Sequence, residues 1–310
     1  DHTALMTPFE ITILGSNSAV PTPTRHPTSQ LLNINHHYYL IDCGEGAQIQ
    51  MRKFGIKFQR IEHIFISHLH GDHYFGLIGL LNTMHLLGRE KPLTIHANRM
   101  LREIINLQLS VSNTKLKYEI HYNYLEDEQE TVILKDHNVE VTATPVDHRI
   151  PCFGFVFKET EKPLNIKKES LAAFKLGVEE IKLLKQGKDV ERQGETIHAV
   201  DATETPLALR KYSFITDTKP KTAYYEAIKD SDLLYHESTF MGDAAVRAAD
   251  TFHTTNLQAA EIALKTKCKK LVLGHFSTRY TQLEPIKVEA QTVFKNTELA
   301  IEGTTFKIEH

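Results

Sequence analysis

The chain has 310 residues, of which 41% are hydrophobic and 24% charged, and this suits one large α/β unit with a substantial core. No apolar run approaches the roughly 20 residues that span a bilayer, and the start, DHTALMTPFE, lacks a secretory apolar core. A cytoplasmic location is therefore expected, the net charge of −3 excludes a broadly basic surface, and three scattered cysteines exclude a disulfide framework.

Strand-like and helix-like segments alternate along the chain, which predicts an α/β fold. Runs of apolar and β-branched residues predict nine strands, at 9–15, 38–44, 63–68, 93–97, 139–148, 152–159, 212–218, 233–239 and 270–275. Apolar residues at helical spacing predict five helices, at 44–55, 74–88, 99–109, 222–230 and 256–267. Thr255 or Asn256 is the expected N-cap of the last helix.

Residues 158–198 differ in composition from the rest of the chain. They are rich in Lys and Glu, poor in strand-forming residues, and they lie between two predicted core strands. Their pattern predicts two short amphipathic helices inserted into a domain that spans residues 6–310. On composition alone, a solvated surface excursion is the favoured interpretation of this segment.

Four predicted strands each deliver a metal-binding side chain where the strand stops. These side chains are His68, His148, Asp217 and His275. In α/β sheets, ligand sites form at the carboxyl ends of strands because the loops converge there. One such histidine is usually structural, but four strand ends with the same property predict a shared site.

The segment IFISHLHGDHYFGL places His68, His70, Asp72 and His73 within six positions. An extended backbone directs the rings of His68 and His70 to one face because they are two residues apart. Gly71 then allows a sharp turn, so that Asp72 and His73 approach from the start of the next helix. Imidazole and carboxylate ligands in this arrangement predict a pair of metal ions, Zn²⁺ or a similar first-row ion.

The H-x-H-x-D-H pattern, followed in order by a His, an Asp and a His, resembles the metallo-β-lactamase superfamily. The resemblance implies a four-layer αβ/βα sandwich with a dinuclear site above the inner strands. It also implies three ligands for each metal ion and one bridging carboxylate. One ion would be held by His68, His70 and His148, the other by Asp72, His73 and His275, and Asp217 would bridge them.

Across nearly the whole chain, the sequence resembles the ribonuclease Z family, whose members trim the 3′ end of tRNA precursors. The matching segments are ILGSNSAVP, LIDCGEGAQIQM, SHLHGDHYFGLIGLL, TPVDHRIPCFGF, ITDTKP, HESTF, FHTT and GHFSTRY. The resemblance implies a homodimer acting on precursor tRNA, with two Zn²⁺ per subunit and Mn²⁺ or another divalent ion as the alternative. Residues 158–198 lie where this family carries its flexible tRNA-binding arm.

The resemblance also implies roles in phosphodiester hydrolysis by a water that the metal ions activate. Asp72 would orient or deprotonate this water, and His253, with Glu237 as its orienting partner, would protonate the leaving 3′ oxygen. Arg279 would contact a substrate phosphate, and Arg25, in the N-terminal loop, would contact substrate. An exposed loop histidine, a solvated glutamate and a surface arginine are the alternative interpretations.

Two departures from the family pattern bear on substrate recognition. The arm has LGVEEIKLL where the family commonly carries a Gly-Pro element, and the loop usually written P-x-K-x-R-N reads PTPTRH. Pro21 and Arg25 remain, whereas Pro23 and His26 replace the Lys and the Asn. These departures keep open a hydrolase of small phosphodiesters, sulfate esters or lactones on the same scaffold. A non-catalytic nucleic-acid-binding relative is disfavoured because every metal position is retained.

Overall fold

The computed structural model describes residues 7–126 and 128–310, so Met6, the predicted first residue of the domain, lies outside the described residues. The chain forms two compact units, which are described separately. The first contains the chain up to Lys158 together with Arg210–Glu309, and the second is Glu159–Leu209.

Within the described residues the chain forms sixteen strands and ten α-helices. The strands are β1 Phe9–Gly15, β2 Ser29–Ile34, β3 His37–Ile41, β4 Ile61–Phe65, β5 Leu93–Ala97, β6 Ile120–Tyr124, β7 Thr131–Lys135, β8 Val139–Pro145, β9 Phe153–Glu159, β10 Val190–Arg192, β11 Glu195–Ile197, β12 Lys211–Ile215, β13 Leu233–Glu237, β14 Leu271–Gly274, β15 Thr297–Leu299 and β16 Thr305–Lys307. The helices are α1 Ala47–Lys53, α2 Leu77–Leu86, α3 Met100–Val111, α4 Lys168–Phe174, α5 Val178–Lys185, α6 Ala199–Ala202, α7 Tyr225–Ile228, α8 Ala245–Asp250, α9 Asn256–Lys265 and α10 Glu284–Gln291.

The first unit contains two seven-stranded mixed sheets. Sheet 1 has the order β16-β1-β2-β3-β4-β5-β6, and β3 to β6 run parallel. Sheet 2 has the order β15-β14-β13-β12-β9-β8-β7, and β12 to β15 run parallel. Each sheet therefore gathers the carboxyl ends of four parallel strands along one edge, which is where loops can build a site.

The two sheets face each other across one apolar core, and helices cover their outer faces. Strands β1 to β4 and strands β8, β9 and β12 to β14 contribute to the same cluster, in which the rings of Phe65 and Phe155 lie 5.5 Å apart. Helices α1, α2 and α3 pack on the outer face of sheet 1, and α7, α9 and α10 pack on that of sheet 2. This arrangement confirms the predicted four-layer αβ/βα sandwich.

The predicted elements are present with shifted ends. All nine predicted strands and five predicted helices overlap observed ones, and Thr255 caps α9 by accepting the Gln258 N–H at 3.2 Å. The prediction missed seven strands, most of them short or at a sheet edge, as well as helices α6, α8 and α10. Several predicted strands also continue two or three residues past the observed ends, and those extra residues carry the candidate site.

The second unit contains α4, α5 and α6 and a hairpin of β10 and β11. Its small core comprises Leu184, Val190, Ile197, Ala199 and Ala202. The two amphipathic helices expected in residues 158–198 correspond to α4 and α5, while the hairpin and α6 were not expected. The unit extends beyond the predicted segment to Leu209.

Two further expectations concern composition. All three cysteines are buried and unpaired, as expected of small apolar side chains rather than of a disulfide framework. Among the helices formed by the described residues, none combines the length and the apolar character needed to cross a membrane.

Candidate metal centre and its surroundings

The structure brings all seven predicted metal ligands together at the carboxyl ends of strands in both sheets. The segment after β4 supplies four of them, and the residues after β8, β12 and β14 supply one each. These residues form three groups in which the potential ligand atoms lie within 4.8 Å of one another. The groups are His68 with His70 and His148, Asp72 with His73 and His275, and His68 with His73 and Asp217.

Asp217 lies between the two groups of histidines. Its Oδ1 is 3.8 Å from His68 Nε2 and 3.5 Å from His148 Nε2, whereas its Oδ2 is 3.0 Å from His73 Nε2 and 3.3 Å from His275 Nε2. One carboxylate oxygen therefore faces each group. This is the geometry expected of a carboxylate that bridges two cations.

Buried hydrogen bonds fix which nitrogen of His73 carries the proton. The ring is fully buried, and its Nδ1 lies 2.6 Å from Asp42 Oδ2, which is an acceptor when ionised. In the neutral ring the proton must then be on Nδ1, and the lone pair of Nε2 points toward carboxylate oxygens of Asp217 and Asp72 at 3.0 and 3.2 Å. Two electron-rich groups this close require positive charge between them, which a proton on Nε2 or a metal ion supplies.

The same logic applies to His275. Thr239 Oγ1 donates its one proton to Glu237 Oε1 at 2.8 Å, so at 2.9 Å from His275 Nδ1 it can only accept. His275 therefore carries its proton on Nδ1 and presents the lone pair of Nε2 to the cleft.

The ring of His68, which follows β4 of sheet 1, is oriented by a hydroxyl group in the same way as that of His275. Ser67 Oγ donates to Asp42 Oδ2 at 2.9 Å and accepts from His68 Nδ1 at 2.9 Å. His68 Nε2 therefore presents a lone pair as well. Oriented, neutral imidazoles with a buried hydrogen-bond partner on the opposite nitrogen are typical of metal ligands.

The residues present therefore fit a pair of divalent cations. Among the described residues, the Nε2 atoms of His68, His73 and His275 are buried and lack a hydrogen-bond partner. An unsatisfied buried polar atom costs about 1–3 kcal/mol, and three in one cleft indicate that a further group satisfies them. A set of imidazoles and carboxylates suits Zn²⁺ and related first-row ions.

Three residues of the site have left-handed backbone conformations. The φ angles are +56° at Asp42, +49° at Asp217 and +57° at His275. Such conformations cost on the order of 1–3 kcal/mol for residues other than glycine, and they concentrate at functional sites. Each of these residues follows a strand within two positions, so the left-handed turn redirects its side chain as the chain leaves the sheet.

Gly71 has a different role from the one predicted. The chain forms a single 3₁₀ turn over Gly71–His73, and Gly71 is not among the residues with positive φ. A Cβ at this position would lie 2.1 Å from the ring of Phe75. The backbone here can be adopted by other residues, and a larger residue would have to displace the exposed ring of Phe75. Asp72 and His73 lie in this 3₁₀ turn, ahead of α2.

Glu237 and His253 form a second buried network beside the metal ligands. Glu237 is fully buried, and its carboxylate accepts hydrogen bonds from the backbone N–H groups of Thr218 and Thr254 at 2.8 and 2.9 Å and from Thr239. His253 Nδ1 lies 2.8 Å from Glu237 Oε2. The alternative of a solvated glutamate is therefore excluded for Glu237.

Glu237 and His253 stabilise each other's charged forms. Burial alone would lower the pKa of His253, but the Glu237 carboxylate raises it to about 9. Burial would likewise raise the pKa of Glu237, whereas the charge and hydrogen bond of His253 lower it. His253 also has a ring nitrogen close enough to Asp217 and His275 to bind a shared metal ion, so its geometry is compatible with proton donation or with ligation.

The two predicted substrate-binding arginines lie in different environments. Arg25 is engaged within the protein, because its guanidinium donates to the carbonyl oxygens of Tyr280 at 2.7 Å and Ser277 at 3.4 Å. It therefore supports the loop after β14, and its contact with substrate stays a prediction. Arg279 is exposed in that loop, with its guanidinium 5.1 Å from the centre of the Phe240 ring.

Sequence reasoning missed the residues that orient the ligands. Asp42 lies in the predicted strand 38–44 and in the segment LIDCGEGAQIQM without a predicted role in the site, and Ser67 and Thr239 have none either. The signal was available for Asp42, since an aspartate directly after an apolar strand follows the pattern used for the ligands. His236 is buried, with Nε2 at 2.8 Å from Tyr224 Oη and Nδ1 at 2.9 Å from the Glu237 carbonyl oxygen, so it is structural.

A family model gives partial coverage of the chain. The model described as anti-Pycsar protein Apyc1 matches residues 9–164, half of the chain. This range contains the histidine cluster after β4 and His148. It ends before Asp217, His253 and His275, so it does not cover the whole site.

Curated relatives and a solved structure cover nearly the whole chain. Ribonuclease Z of Bacteroides thetaiotaomicron is 43% identical over 304 residues, spanning 98% of this chain and 96% of that protein. Ribonuclease Z of Cytophaga hutchinsonii is 45% identical over 302 residues, spanning 97% and 96%. The crystal structure of human tRNase Z, short form, matches with a TM-score of 0.71 at 27% identity, over 97% of this chain and 100% of that chain. The chain therefore belongs to the ribonuclease Z family of the metallo-β-lactamase fold.

Proposed function

We propose that this protein is a metal-dependent endoribonuclease that removes the 3′ trailer from tRNA precursors in the cytoplasm. The products are a tRNA with a 3′-hydroxyl and a trailer with a 5′-phosphate. The observation that carries the proposal is identity of 41% to 45%, over nearly the whole chain, to proteins named ribonuclease Z. The candidate metal centre supports it because phosphodiester hydrolysis needs an activated water and stabilised phosphoryl charge.

Two Zn²⁺ per chain are proposed, held by the seven residues that the structure brings together. When bound there, such ions lower the pKa of a coordinated water and neutralise charge on the phosphoryl oxygens. Asp72 is assigned to orient the attacking water. Its Oδ2 accepts the Ala19 N–H at 3.0 Å, which holds the carboxylate in place at the edge of the site.

His253 is assigned as the group that gives a proton to the leaving 3′ oxygen of the tRNA. Glu237 holds His253 through Nδ1, which leaves Nε2 to carry that proton. Glu237 itself is fixed by backbone N–H donors, so it acts as a positioning residue. Arg279, on the loop that Arg25 supports, is assigned to contact a substrate phosphate, as guanidinium suits that contact.

The proposal is tested by incubating the zinc-loaded protein with a tRNA precursor that carries a 3′ trailer, and separately with bis(p-nitrophenyl) phosphate. We expect one cut at the tRNA end, with the chemistry of both new ends verified by ligation and dephosphorylation. Hydrolysis of the small ester without cleavage of the precursor would replace this function with that of a small-phosphodiester hydrolase.

We further propose that the unit Glu159–Leu209 is the arm that binds the tRNA body, in a homodimer. The unit contains eight basic and ten acidic residues, so its net charge gives no general attraction to RNA. Three exposed lysines, at 182, 185 and 188, are spaced three residues apart on and just after α5. The spacing places Lys182 and Lys185 on one face of α5, and Lys188 follows shortly after the helix ends.

The arm is tested by replacing Lys182, Lys185 and Lys188 with glutamine. Cleavage of a full precursor should weaken, mainly in KM, while hydrolysis of the small ester is unchanged. Lys162 and Lys168, two exposed lysines elsewhere in the unit, provide the matched control when changed to glutamine. Equal loss on both substrates would assign the unit a structural role, and sedimentation of the wild type as a monomer would refute the homodimer.

A further inference from the structure

Phe252 is an aromatic residue at a position that favours glycine. Helix α8 ends at Asp250, and beyond it the N–H of Phe252 donates to Ala249 O at 3.3 Å and the N–H of His253 donates to Ala248 O at 2.8 Å. This pair of hydrogen bonds is the Schellman motif, in which glycine usually occupies the left-handed position. Phe252 occupies it with φ +60°. A bulky residue in this conformation is a genuine outlier.

The ring of Phe252 does not serve the hydrophobic core. Among the described residues it belongs to none of the four apolar clusters, and it is half-buried at the site. Its ring lies 6.4 Å from the ring of His148 at 82°, and it directly precedes His253. A strained residue that lies beside reactive groups, rather than in the core, points to a role in binding.

Two cations lie against the same ring. Lys219 Nζ is 4.3 Å from the ring centre and Arg149 Cζ is 6.0 Å from it. In the part of the chain that the structure describes, neither cation forms an ion pair with a carboxylate. Each of the three side chains lies within two positions of a candidate site residue, since Arg149 follows His148 and Lys219 follows Asp217.

We propose that Phe252, Lys219 and Arg149 form a nucleotide subsite of the RNA cleft. The Phe252 ring stacks on the base of the nucleotide whose 3′ oxygen leaves, and the two cations bind phosphates of the same strand. This inference rests on the proposed function. Unpaired RNA is recognised by aromatic stacking and by cations along its backbone, and this cluster supplies both.

The choice of nucleotide follows from chain connectivity. Phe252 directly precedes His253, the residue assigned to protonate the leaving oxygen, and its ring lies beside His148, so we assign its ring to the nucleotide that carries this oxygen. Lys219 has a flexible four-carbon stem, which allows its ammonium group to leave the ring face for a phosphate when a base takes its place. Arg149 is exposed and has the planar geometry that matches a phosphate.

The test compares two Phe252 variants on matched precursors. F252L removes the aromatic ring and keeps an apolar side chain, whereas F252Y keeps the ring. With an ordinary precursor, we expect kcat/KM to fall about tenfold in F252L and to be largely retained in F252Y. With a precursor that is abasic at the last tRNA nucleotide, wild type and F252L should become equal, because there is no base left to stack.

Several outcomes would overturn the inference. The first is a tenfold difference in kcat/KM between wild type and F252L that persists on the abasic precursor. The second is a difference that disappears only when the first trailer nucleotide is abasic. The third is a loss of kcat/KM in F252Y equal to that in F252L. F252G separates stacking from folding, because glycine suits the left-handed position. It should keep its melting temperature and metal content and lose the same activity as F252L.

The cations are tested by salt dependence. K219Q and R149Q should each reduce the slope of log affinity against log salt by about 0.7, the value for one phosphate contact on a single strand. Lys221, an exposed neighbour that does not contact the ring, is the matched control as K221Q. An unchanged slope in both variants would remove the cations from the subsite. Failure of wild type to cut the precursor would refute the proposed function, whereas normal cutting by every variant would refute only this subsite.

Discussion

At the scale of single residues, two buried carboxylates organise the candidate site. Asp42 in sheet 1 and Glu237 in sheet 2 are each fully buried, and each accepts a backbone N–H from a loop that follows a neighbouring strand. Each also holds a histidine through Nδ1, at 2.6 Å for His73 and 2.8 Å for His253. The catalytic geometry therefore depends on residues that need not touch metal or substrate.

Replacement of His253 by glutamine should lower kcat for precursor cleavage by about 10²–10⁴-fold, the usual contribution of a positioned proton donor. The metal content, measured by mass spectrometry of the purified protein, should stay at the wild-type value. E237Q should cause a smaller loss, because it leaves the histidine in place but weakens its support. The double variant should be no worse than H253Q, since the glutamate acts through the histidine. Loss of metal from H253Q would instead make His253 a ligand.

Replacement of Asp42 by asparagine should weaken metal binding by about 10–100-fold, as removal of such a supporting partner does in other metal sites. The amide keeps the size of the carboxylate but cannot hold His73 Nδ1–H and the Ser67 N–H with the same charge. Competition with a chelator of known affinity measures the effect. As a control, D136N alters an aspartate that accepts backbone N–H groups in a surface turn and should leave metal affinity unchanged. Equal affinities in wild type and D42N would contradict this assignment.

The candidate metal ligands could be predicted from the sequence, whereas the residues that orient them could not. The spacing of His68, His70, Asp72 and His73 has few structural explanations, so it could be interpreted directly. The role of Glu237 depends on complete burial and on donors that lie far apart in sequence, such as Thr218 and Thr254. Composition alone favours a solvated position for a glutamate, and only the fold shows otherwise.

At the scale of elements, the ends of the strands explain the main prediction errors. The predicted strands at 63–68 and 212–218 continue past β4 and β12, where Ile66, Thr216 and Thr218 are apolar or β-branched. The ladders stop where the backbone N–H groups of Ser67 and Thr218 bond to the carboxylates of Asp42 and Glu237 instead of to a neighbouring strand. Local sequence does not show whether a backbone N–H will bond to a distant carboxylate or to the neighbouring strand.

Missed strands have a related cause. In β2, Ser29 and Gln30 are buried, so the strand lacks the alternation that identifies a half-exposed strand. Ser29 Oγ donates to the Asp42 carbonyl oxygen at 2.9 Å, and Gln30 accepts from Tyr212 Oη. Partners outside the strand therefore bond the Ser29 hydroxyl and the Gln30 side-chain carbonyl oxygen, whereas the local pattern indicates a loop.

A buried chain of hydrogen bonds joins strands β4, β5 and β6 and predicts acid sensitivity. Asn123 Nδ2 donates to His96 Nδ1 at 3.0 Å, and His96 Nε2 lies 3.0 Å from His63 Nδ1. The amide donor requires an unprotonated Nδ1 on His96, so His96 donates onward to His63. The ring of His96 also stacks on Phe65, with centroids 4.3 Å apart.

Acid should therefore destabilise this protein through His96. Burial lowers the pKa of His96 to about 3, below the ordinary 6.5 of the unfolded chain. As the pH falls below 6.5, the unfolded chain binds a proton that the folded chain does not, so folding stability declines. The free energy of unfolding should drop by about 1.5 kcal/mol between pH 6.5 and 5 from this group.

Denaturant unfolding of wild type and H96Q at both pH values measures the effect. H96Q should be less stable at pH 6.5, because it loses the stacked ring, yet its stability should fall less on acidification. H121Q, at an exposed histidine, controls for histidine removal as such. The same pH dependence in wild type and H96Q would exclude His96 as the sensor.

At the scale of the whole first unit, the two sheets meet in one apolar core and also at the candidate metal centre. Sheet 1 supplies four candidate ligands from the segment after β4, and sheet 2 supplies the candidates His148, Asp217 and His275. In each proposed ligand group, residues from one sheet lie within 4.8 Å of residues from the other. Bound metal should therefore hold the sheet edges together as well as serve the chemistry.

Metal should stabilise the fold accordingly. A ligand at a hundred times its dissociation constant stabilises the folded state by about 2.7 kcal/mol, which raises the melting temperature of a chain of this size by about 4 °C. Calorimetry of the chelator-treated protein, with and without added Zn²⁺, measures this shift. H148A, which removes a ligand supplied by sheet 2, should show a smaller shift, whereas H121A should match wild type. If chelation left the melting temperature unchanged, or if H148A gained as much as wild type, the metal would not link the two sheets.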